Sequence, residues 1–281
     1  MRDSGESTAF ANYDPQIVDK FTSLKKACQA CQDADEAQAQ QVLTWVESAQ
    51  NWCYGKAVDK YHLEGQRHVT AMWDSYNALA RSYEFGLKPH AAVSQNLHRI
   101  NEDTWTAVSA ALDPIIAGVR SRQQQTHWTG AGADDYMKQL PVQLAALQEF
   151  QEYAAVGGAG VETPALIQQN VFVQTLGLLK RTTLRVQDIA GAQVGTSDFF
   201  QRCRTAADYL TGQGNAFTKL LDGADSWRPI LTEHIDRMTS EAVTSPVVLK
   251  KATWPEATNT DANRLPSTVG PKYTRPSGVG A

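Results

Sequence analysis

Apolar residues recur at steps of three and four positions along the chain from about Asp14 to Ala242. This spacing places them on one face of an α-helix. Sustained alternation of apolar and polar residues, which is typical of half-buried strands, is nearly absent from the sequence. The pattern therefore predicts an all-α fold, an elongated antiparallel bundle of long helices.

Capping and helix-breaking residues divide this pattern into separate helices. Asp14-Pro15 supplies an N-cap and a proline in the first turn, which is a typical helix start. Gly86-Leu87-Lys88-Pro89 has the composition of a helix stop, and the glycines of 157–160 are expected to end a helix as well. The predicted helices are 14–33, 36–85, 90–125 with a kink at Pro114, 133–156, 163–195, 197–211 capped by Ser197, and 216–242 containing Pro229.

The apolar positions of each helix define its expected buried face, and most of the tryptophans fall at helical spacing and are expected in the core. The expected buried positions include Ile17 or Val18, Phe21, Leu24, Cys28, Trp45, Met72, Tyr76, Leu79, Tyr83, Ile100, Ile115, Leu140, Leu147, Phe150, Leu166, Val173, Leu179, Val186, Phe200, Cys203, Ala207 and Leu210.

The succession of helices and breaks also predicts a domain organisation. A disordered N-terminus (1–13) precedes a first helical pair (14–87) and a second helical hairpin (88–156). Helices of the region 157–244 are expected to pack on this bundle. From 245 to 281 five prolines are scattered among Thr, Ser, Asn and Gly, and this composition predicts a disordered tail.

Charge and hydropathy narrow the classes of function. The formal net charge is -4, which argues against a nucleic-acid-binding protein, since such proteins are usually basic. No apolar run reaches the roughly 18 residues of a transmembrane helix, so membrane contact without spanning is all that is left open. The polar N-terminus, which carries two acids, does not resemble a cleaved leader. The chain is therefore expected either to stay in the cytoplasm or to be secreted without a cleaved leader.

Few residues in the sequence are candidates for catalysis, redox chemistry or metal binding. Cys28 and Cys31 form a CxxC pair, but it falls inside a helical pattern instead of at a helix start after a strand, so a structural role is expected and redox activity is an open alternative. A second ligand pair for zinc does not follow, and the sequence motifs of di-iron bundles, zincins, serine hydrolases and phosphate-binding loops are missing. We therefore expect a non-catalytic protein with no metal and no cofactor.

The most informative segment joins the third and fourth predicted helices. Trp128-Thr129-Gly130 lies at the tip of their hairpin. Gly130 permits a positive φ or a close approach where the chain reverses. Trp128 is large enough to wedge between helices, either those of its own hairpin or those of a partner. Further on, Tyr136 lies on the expected inner face of the next helix.

A Trp-x-Gly turn between two amphipathic helices, followed by alanines, Tyr136 and a leucine ladder, resembles the WXG100 (ESAT-6-like) proteins. The stretch from Gln125 to Leu140 carries the resemblance, which extends over about Pro89–Tyr153. Members of that family are helical hairpins exported by type VII secretion systems. The resemblance implies helix packing as the mode of action, with Trp128, Gly130 and Tyr136 as motif residues.

The helical pair before this hairpin and the helices after it are similar to the larger PE/PPE and EspB-like relatives. In those proteins a first pair packs on a second, EspB-like members assemble into rings, and a mobile C-terminal part follows. The resemblance implies self-association, or binding to another helical protein of the secretion system. One feature departs from the family, because no tyrosine in this chain has an acid four residues further on, whereas the family's export signal is Tyr-x-x-x-Asp/Glu.

Two other classes of function stay open. A helical pore-forming toxin needs an apolar hairpin, and the segment 154–161 is apolar but too short to span a bilayer. A cytoplasmic scaffold or adaptor bundle is the other. Trp254 lies in a polar, proline-rich context without a core to join, which suggests a docking anchor. His127, beside Trp128, is a candidate for pH-dependent control of assembly at the hairpin tip.

Overall fold

The structure is a computed structural model that describes residues 13–48, 55–123, 127, 129–195 and 199–244. These residues are almost wholly helical and contain no strand, which confirms the predicted all-α class. The predicted disordered segments lie outside the described residues, apart from Tyr13. The α-helices are α1 (Asp14–Ser48), α2 (Gly55–Ser82), α3 (Val93–Ile100), α4 (Ala107–Arg122), α5 (Ala131–Gly191), α6 (Gln201–Asp225) and α7 (Trp227–Thr244).

Short irregular turns connect the helices of the first half. A π-helical turn, Tyr83–Leu87, and a 3-10 turn, Lys88–His90, follow α2 at the predicted helix stop. A second π-helical turn, Asn101–Thr106, joins α3 to α4. The region predicted as one helix from 90 to 125 is therefore three helical segments in succession, and Pro114 lies inside the last of them.

Several predicted helix ends are wrong. Helix α1 continues through the acidic run at 33–36, because Asp35 is not a solvated helix-end residue but a buried one with partners on α6. Helix α5 is 61 residues long and passes without interruption through the glycines of 157–160 and through Thr163-Pro164. The predicted domain boundary between 156 and 157 thus falls inside a helix.

The helical segment ends between α6 and α7 instead of at Gly212-Gln213-Gly214, which lies inside α6. At the break, the backbone N–H of Ser226 donates to the carbonyl of Gly223 at 3.2 Å. Pro229 falls in the first turn of α7, where a missing backbone N–H costs no helical hydrogen bond. The proline therefore marks a helix start, not the interior of a longer helix. Ser197, the predicted cap of this region, lies outside the described residues.

The described residues divide into two compact units. The first combines the chain up to His98 with Glu162–Ile230, and the second combines Arg99–Val161 with the chain from Leu231 onward. Each unit therefore takes a different part of α5.

The first unit is a bundle of α1, α2, the C-terminal part of α5 and α6. Phe21, early in α1, packs against Tyr83 in the turn that follows α2, whereas Gln32, further along α1, accepts a hydrogen bond from Trp73 within α2, so these two helices are antiparallel. The C-terminal part of α5 and α6 are antiparallel too, since Gln168 donates to the carbonyl of Ala224. The largest fully buried side chains of this core are Ile17, Leu24, Met72, Leu87, Gln168, Phe172, Thr175, Leu179, Val186, Leu210 and Phe217.

The second unit contains a helical hairpin of α4 and the first part of α5. Arg122 donates to the hydroxyl of Tyr136 at 3.4 Å, and Gln151 donates to the carboxylate of Asp113 at 2.6 Å, which is the pairing of antiparallel helices. Its buried apolar residues are Ile116, Ala133, Leu140, Ala146, Leu147 and Ala154.

The structure also decides which apolar residues are covered. On α1, Ile17 is fully buried and Val18 is exposed. The predicted buried faces of α2 and α6 are confirmed at Met72, Tyr76, Leu79, Cys203 and Leu210. Six other predicted core residues are exposed instead, namely Trp45, Ile100, Ile115, Phe150, Leu166 and Val173.

Candidate functional site

Of the four predicted site residues, Gly130 and Tyr136 are described by the structure, whereas Trp128 and Trp254 lie outside the described residues. Gly130 has a φ of +110°, a conformation that side chains with a Cβ rarely adopt. Its carbonyl accepts the backbone N–H groups of Ala133 at 2.9 Å and Asp134 at 3.0 Å. Of the two roles expected for Gly130, a positive φ or a close approach, the structure shows the positive φ, and Gly130 is the residue from which α5 begins.

Tyr136 lies one turn into α5 and is half-buried, with Arg122 as the donor to its hydroxyl. Helix α4 ends at Arg122, so this contact closes the hairpin just below the Trp-x-Gly turn. His127 and Thr129, on either side of position 128, are exposed. A Cβ at Gly130 would meet nothing within 4 Å, so it is the backbone conformation, and not close packing, that requires a glycine at this position.

The glycines of 157–160, which were expected to end a helix, form a closely packed surface within α5. A Cβ at Gly157 would lie 2.7 Å from the indole ring of Trp105, and one at Gly158 would lie 2.8 Å from the side-chain oxygen of Asn101. At Gly160 it would lie 3.0 Å from His234. Trp105 lies in the π-helical turn before α4 and also packs edge-on against Tyr153, with ring centroids 6.3 Å apart. Gly157 and Gly158 therefore leave space on α5 for the Trp105 side chain, at the end of the hairpin away from the turn.

A buried charged network holds α1 to the start of α6. Asp35 accepts a guanidinium N–H of Arg202 at 3.0 Å and the backbone N–H of Cys203 at 2.8 Å. Arg202 also donates to Gln38 at 2.8 Å and to the carbonyl of Ala192 at 2.9 Å. The Asp35 side chain is fully buried. The acidic run at 33–36 was the only sequence signal for this network, and nothing in it distinguished Asp35 from its neighbours.

Three of the four cysteines are described, and all three are buried and unpaired by disulfides. Burial raises the pKa of Cys28 and of Cys31 to about 12, with smaller contributions from Cys31 and Asp35 respectively. Burial likewise raises the pKa of Cys203. Such thiols stay protonated at neutral pH, and thiolate is the reactive form. Within the described part of the chain, no group of His, Cys, Asp and Glu is arranged to hold a metal ion.

A pocket of about 550 Å³ opens between α1 and α2 in the first unit. Its wall is formed by Gln32, Glu36, Ala39, Gln40, Leu43, His62, Gln66, Val69, Thr70 and Phe200. Phe200 precedes α6 with a φ of +54°, an unusual conformation for an aromatic residue. Its buried ring packs into the space left by Gly65 and contacts His62. One wall of the pocket is therefore formed by a phenylalanine with a strained backbone and a closely packed ring.

Among the described helices, none is long and apolar enough to cross a membrane. Compared with known protein families, characterised proteins and solved structures, the chain shows no match.

Proposed function

We propose that this protein is a substrate or assembly component associated with a type VII secretion system, and that it acts without catalysis, by helix packing and oligomerisation. The observation that carries the proposal is Gly130, whose φ of +110° joins α4 to α5 in an antiparallel hairpin. The Trp-x-Gly turn of the WXG100 family is expected to have this arrangement of helix, glycine turn and helix.

The helical arrangement of the first unit supports the comparison with the larger members of that group. Helices α1 and α2 form one antiparallel pair, and the C-terminal part of α5 with α6 forms a second pair that shares its core. The resemblance to PE/PPE and EspB-like proteins implies that the first pair packs on the Trp-x-Gly hairpin, whereas the pair that shares this core is the C-terminal part of α5 with α6. What supports the proposal is therefore the general plan of one helical pair packed on another.

The assembly part of the proposal is tested by light scattering coupled to size-exclusion chromatography on the full chain and two variants. Trp128→Ala changes the hairpin tip, whereas Trp45→Ala removes an indole that is 61% exposed on α1. We expect a discrete oligomer that Trp128→Ala disrupts and Trp45→Ala preserves. A monomer for the unmodified chain, or an equal effect of both variants, would contradict the proposal.

The secretion part needs a separate experiment. The full chain is expressed in a bacterium with a working type VII system and in a matched strain whose secretion ATPase is inactive. We expect the protein in the culture medium of the first strain alone, with a cytoplasmic enzyme as the marker for lysis. Equal amounts in both media, or retention in both strains, would contradict export by this route.

A further inference from the structure

Three large apolar side chains on the C-terminal part of α5 point away from the core of the first unit. Leu166 is 50% exposed, Val173 is 47% exposed and Leu184 is 53% exposed. On the opposite side of the same helix Phe172, Leu179 and Val186 are buried. This part of α5 is therefore apolar on two faces, of which the bundle covers one.

The three exposed residues lie on a single line along the helix. Val173 follows Leu166 by seven residues and Leu184 follows Val173 by eleven, so their directions agree within about 20° at 3.6 residues per turn. Asn170, Gly177 and Lys180 fill the intermediate turns at steps of three and four. We call these six positions the outer stripe of α5. It is about 27 Å long at 1.5 Å per residue and has the spacing of a coiled-coil seam.

We propose that the outer stripe of α5 binds the same stripe of a second copy of this chain, with the two helices antiparallel. When the stripes are aligned about their midpoint, Leu166 faces Leu184 of the partner subunit, and Val173 faces Gly177 of the partner subunit. Asn170 faces Lys180 of the partner subunit, where its side-chain oxygen can accept an ammonium N–H. Every position of the stripe thus finds a complementary one, as a two-fold symmetric interface requires.

Gly177 provides the space that this packing needs. A Cβ at this position would contact nothing but the mobile end of the Arg181 side chain, at 3.4 Å. The helix surface at Gly177 is therefore a shallow notch that is not filled by the bundle. An isopropyl group such as that of Val173 fits a notch of this kind, and close backbone approach at a glycine is a common feature of packed helices.

The distribution of charge selects the antiparallel direction. Lys180, Arg181 and Arg185 are exposed near the C-terminal end of the stripe, whereas the segment 162–179 contains no basic residue. Parallel pairing would bring the two basic clusters together, and juxtaposed like charges destabilise an interface. Antiparallel pairing places each cluster beside the uncharged amides Gln169 and Asn170 of the partner subunit.

Introduced cysteines test both the contact and its direction. Leu166→Cys and Leu184→Cys are made separately in the full chain. Both variants also carry Cys53→Ser, which removes the cysteine that lies outside the described residues. Each variant is treated with a short bismaleimide by itself, and then the two variants are mixed and treated together. The mixture is expected to form a cross-linked dimer, whereas each variant alone should dimerise without being cross-linked, because equal positions of two antiparallel stripes lie about 27 Å apart at 1.5 Å per residue. The parent with buried Cys28, Cys31 and Cys203 is the control. Cross-linking of Leu166→Cys with itself, or none in the mixture, would overturn the proposal.

The inference rests on the proposed function in taking self-association as the mode of action, but it concerns a different surface. We expect a concentration-dependent dimer in sedimentation velocity. Val173→Arg should abolish it, and the matched change Leu63→Arg, at a residue 57% exposed on α2, should not. A dimer that survives Val173→Arg and is lost in Trp128→Ala would refute the stripe and support the hairpin tip. The reverse result would support the stripe and refute the tip, and loss of association in both variants would support both surfaces.

Discussion

Asp35 on α1 and Arg202 on α6 form a buried ion pair, with a guanidinium nitrogen 3.0 Å from a carboxylate oxygen. The second oxygen of Asp35 accepts the backbone N–H of Cys203 at 2.8 Å, a donor in the first turn of α6. This N–H has no partner within its own helix, so the carboxylate acts as a cap from a distant helix. The pair therefore fixes where α6 begins relative to α1.

Removing the charge of Asp35 should destabilise the first unit strongly. Asp35→Asn leaves the Arg202 guanidinium buried beside a neutral amide, and breaking one partner of a buried pair costs about 3–5 kcal/mol. Urea unfolding followed by tryptophan fluorescence measures the loss. The control is Asp33→Asn, because Asp33 is exposed and accepts a hydrogen bond from Gln29 at 2.8 Å. Its effect should stay within about 0.5 kcal/mol, and equal effects of both changes would refute a special role for Asp35.

The glycines of α5 should be intolerant of even one methyl group where they meet Trp105. In Gly157→Ala the new Cβ would lie 2.7 Å from the indole, so the ring must move, and overpacking of this kind costs about 1–3 kcal/mol. Gly118→Ala is the matched control in the same hairpin, since a Cβ there meets nothing within 4 Å. It should stabilise the helix by about 0.5–1 kcal/mol. Thermal unfolding that shows a gain for both variants would contradict the packing described.

Gly130 should be sensitive to substitution for a different reason. Gly130→Ala meets no steric neighbour, but it holds an alanine at a φ of +110°, and such strain costs about 1–3 kcal/mol. Gly132→Ala, two residues later in the first turn of α5, also meets no neighbour and should be neutral or slightly stabilising. Differential scanning calorimetry of the two variants separates backbone strain from loss of packing. A neutral Gly130→Ala would mean that the turn adopts another conformation.

Gly65 should be required for the burial of the Phe200 ring at its position beside α2. A Cβ at Gly65 would overlap the Phe200 ring, which is 3% exposed, so Gly65→Ala must displace a ring that also holds a positive φ. We expect a loss of about 1–3 kcal/mol in chemical unfolding. Gly214→Ala, inside α6 with open space around it, should instead gain about 0.5–1 kcal/mol. Equal stability of the two variants would show that Phe200 is not held at this position.

Stability should fall at alkaline pH because of the buried thiols. Burial raises the pKa of Cys28 and Cys31 from 9.0 to about 12. Above about pH 9 the unfolded chain loses these protons while the folded chain keeps them, so deprotonation favours unfolding. The stabilising contribution is complete below pH 9 and is lost as the pH rises towards 12.

Urea midpoints at pH 8 and pH 10 measure this loss, to which each thiol contributes at most about 1.4 kcal/mol. Cys28→Ala should reduce the difference between the two pH values, whatever its stability at pH 8. If the difference in stability between pH 8 and pH 10 is unchanged in that variant, the pKa of Cys28 is not raised in the folded protein. Resistance of the folded chain to iodoacetamide at pH 8 provides a second check on Cys28, Cys31 and Cys203.

The periodicity of the sequence predicted much of the local structure correctly. The class of fold, the start of α1 at Asp14, the stop after α2 and the buried face of α6 at Cys203, Ala207 and Leu210 all follow from residues close together in the chain. The positive φ of Gly130 belongs to the same group, because a tight turn between two helices restricts the backbone locally.

The errors have a common origin in contacts between residues far apart in sequence. A run of glycines breaks a helix that is exposed to water, but Gly157, Gly158 and Gly160 remain helical where other side chains pack against them. Likewise, the helix end expected between 33 and 36 is absent, and Asp35 there is buried against Arg202. Composition alone does not distinguish these cases.

What the sequence by itself determined is therefore the helical nature of the chain and the residues able to cap or turn it, since these depend on backbone preferences within a few residues. Only the tertiary structure decided which apolar faces are covered. The exposed Leu166 and Val173 are seven residues apart, as are the buried Phe172 and Leu179. Burial depends on whether another helix lies opposite, and that is a property of the assembled bundle and not of the segment.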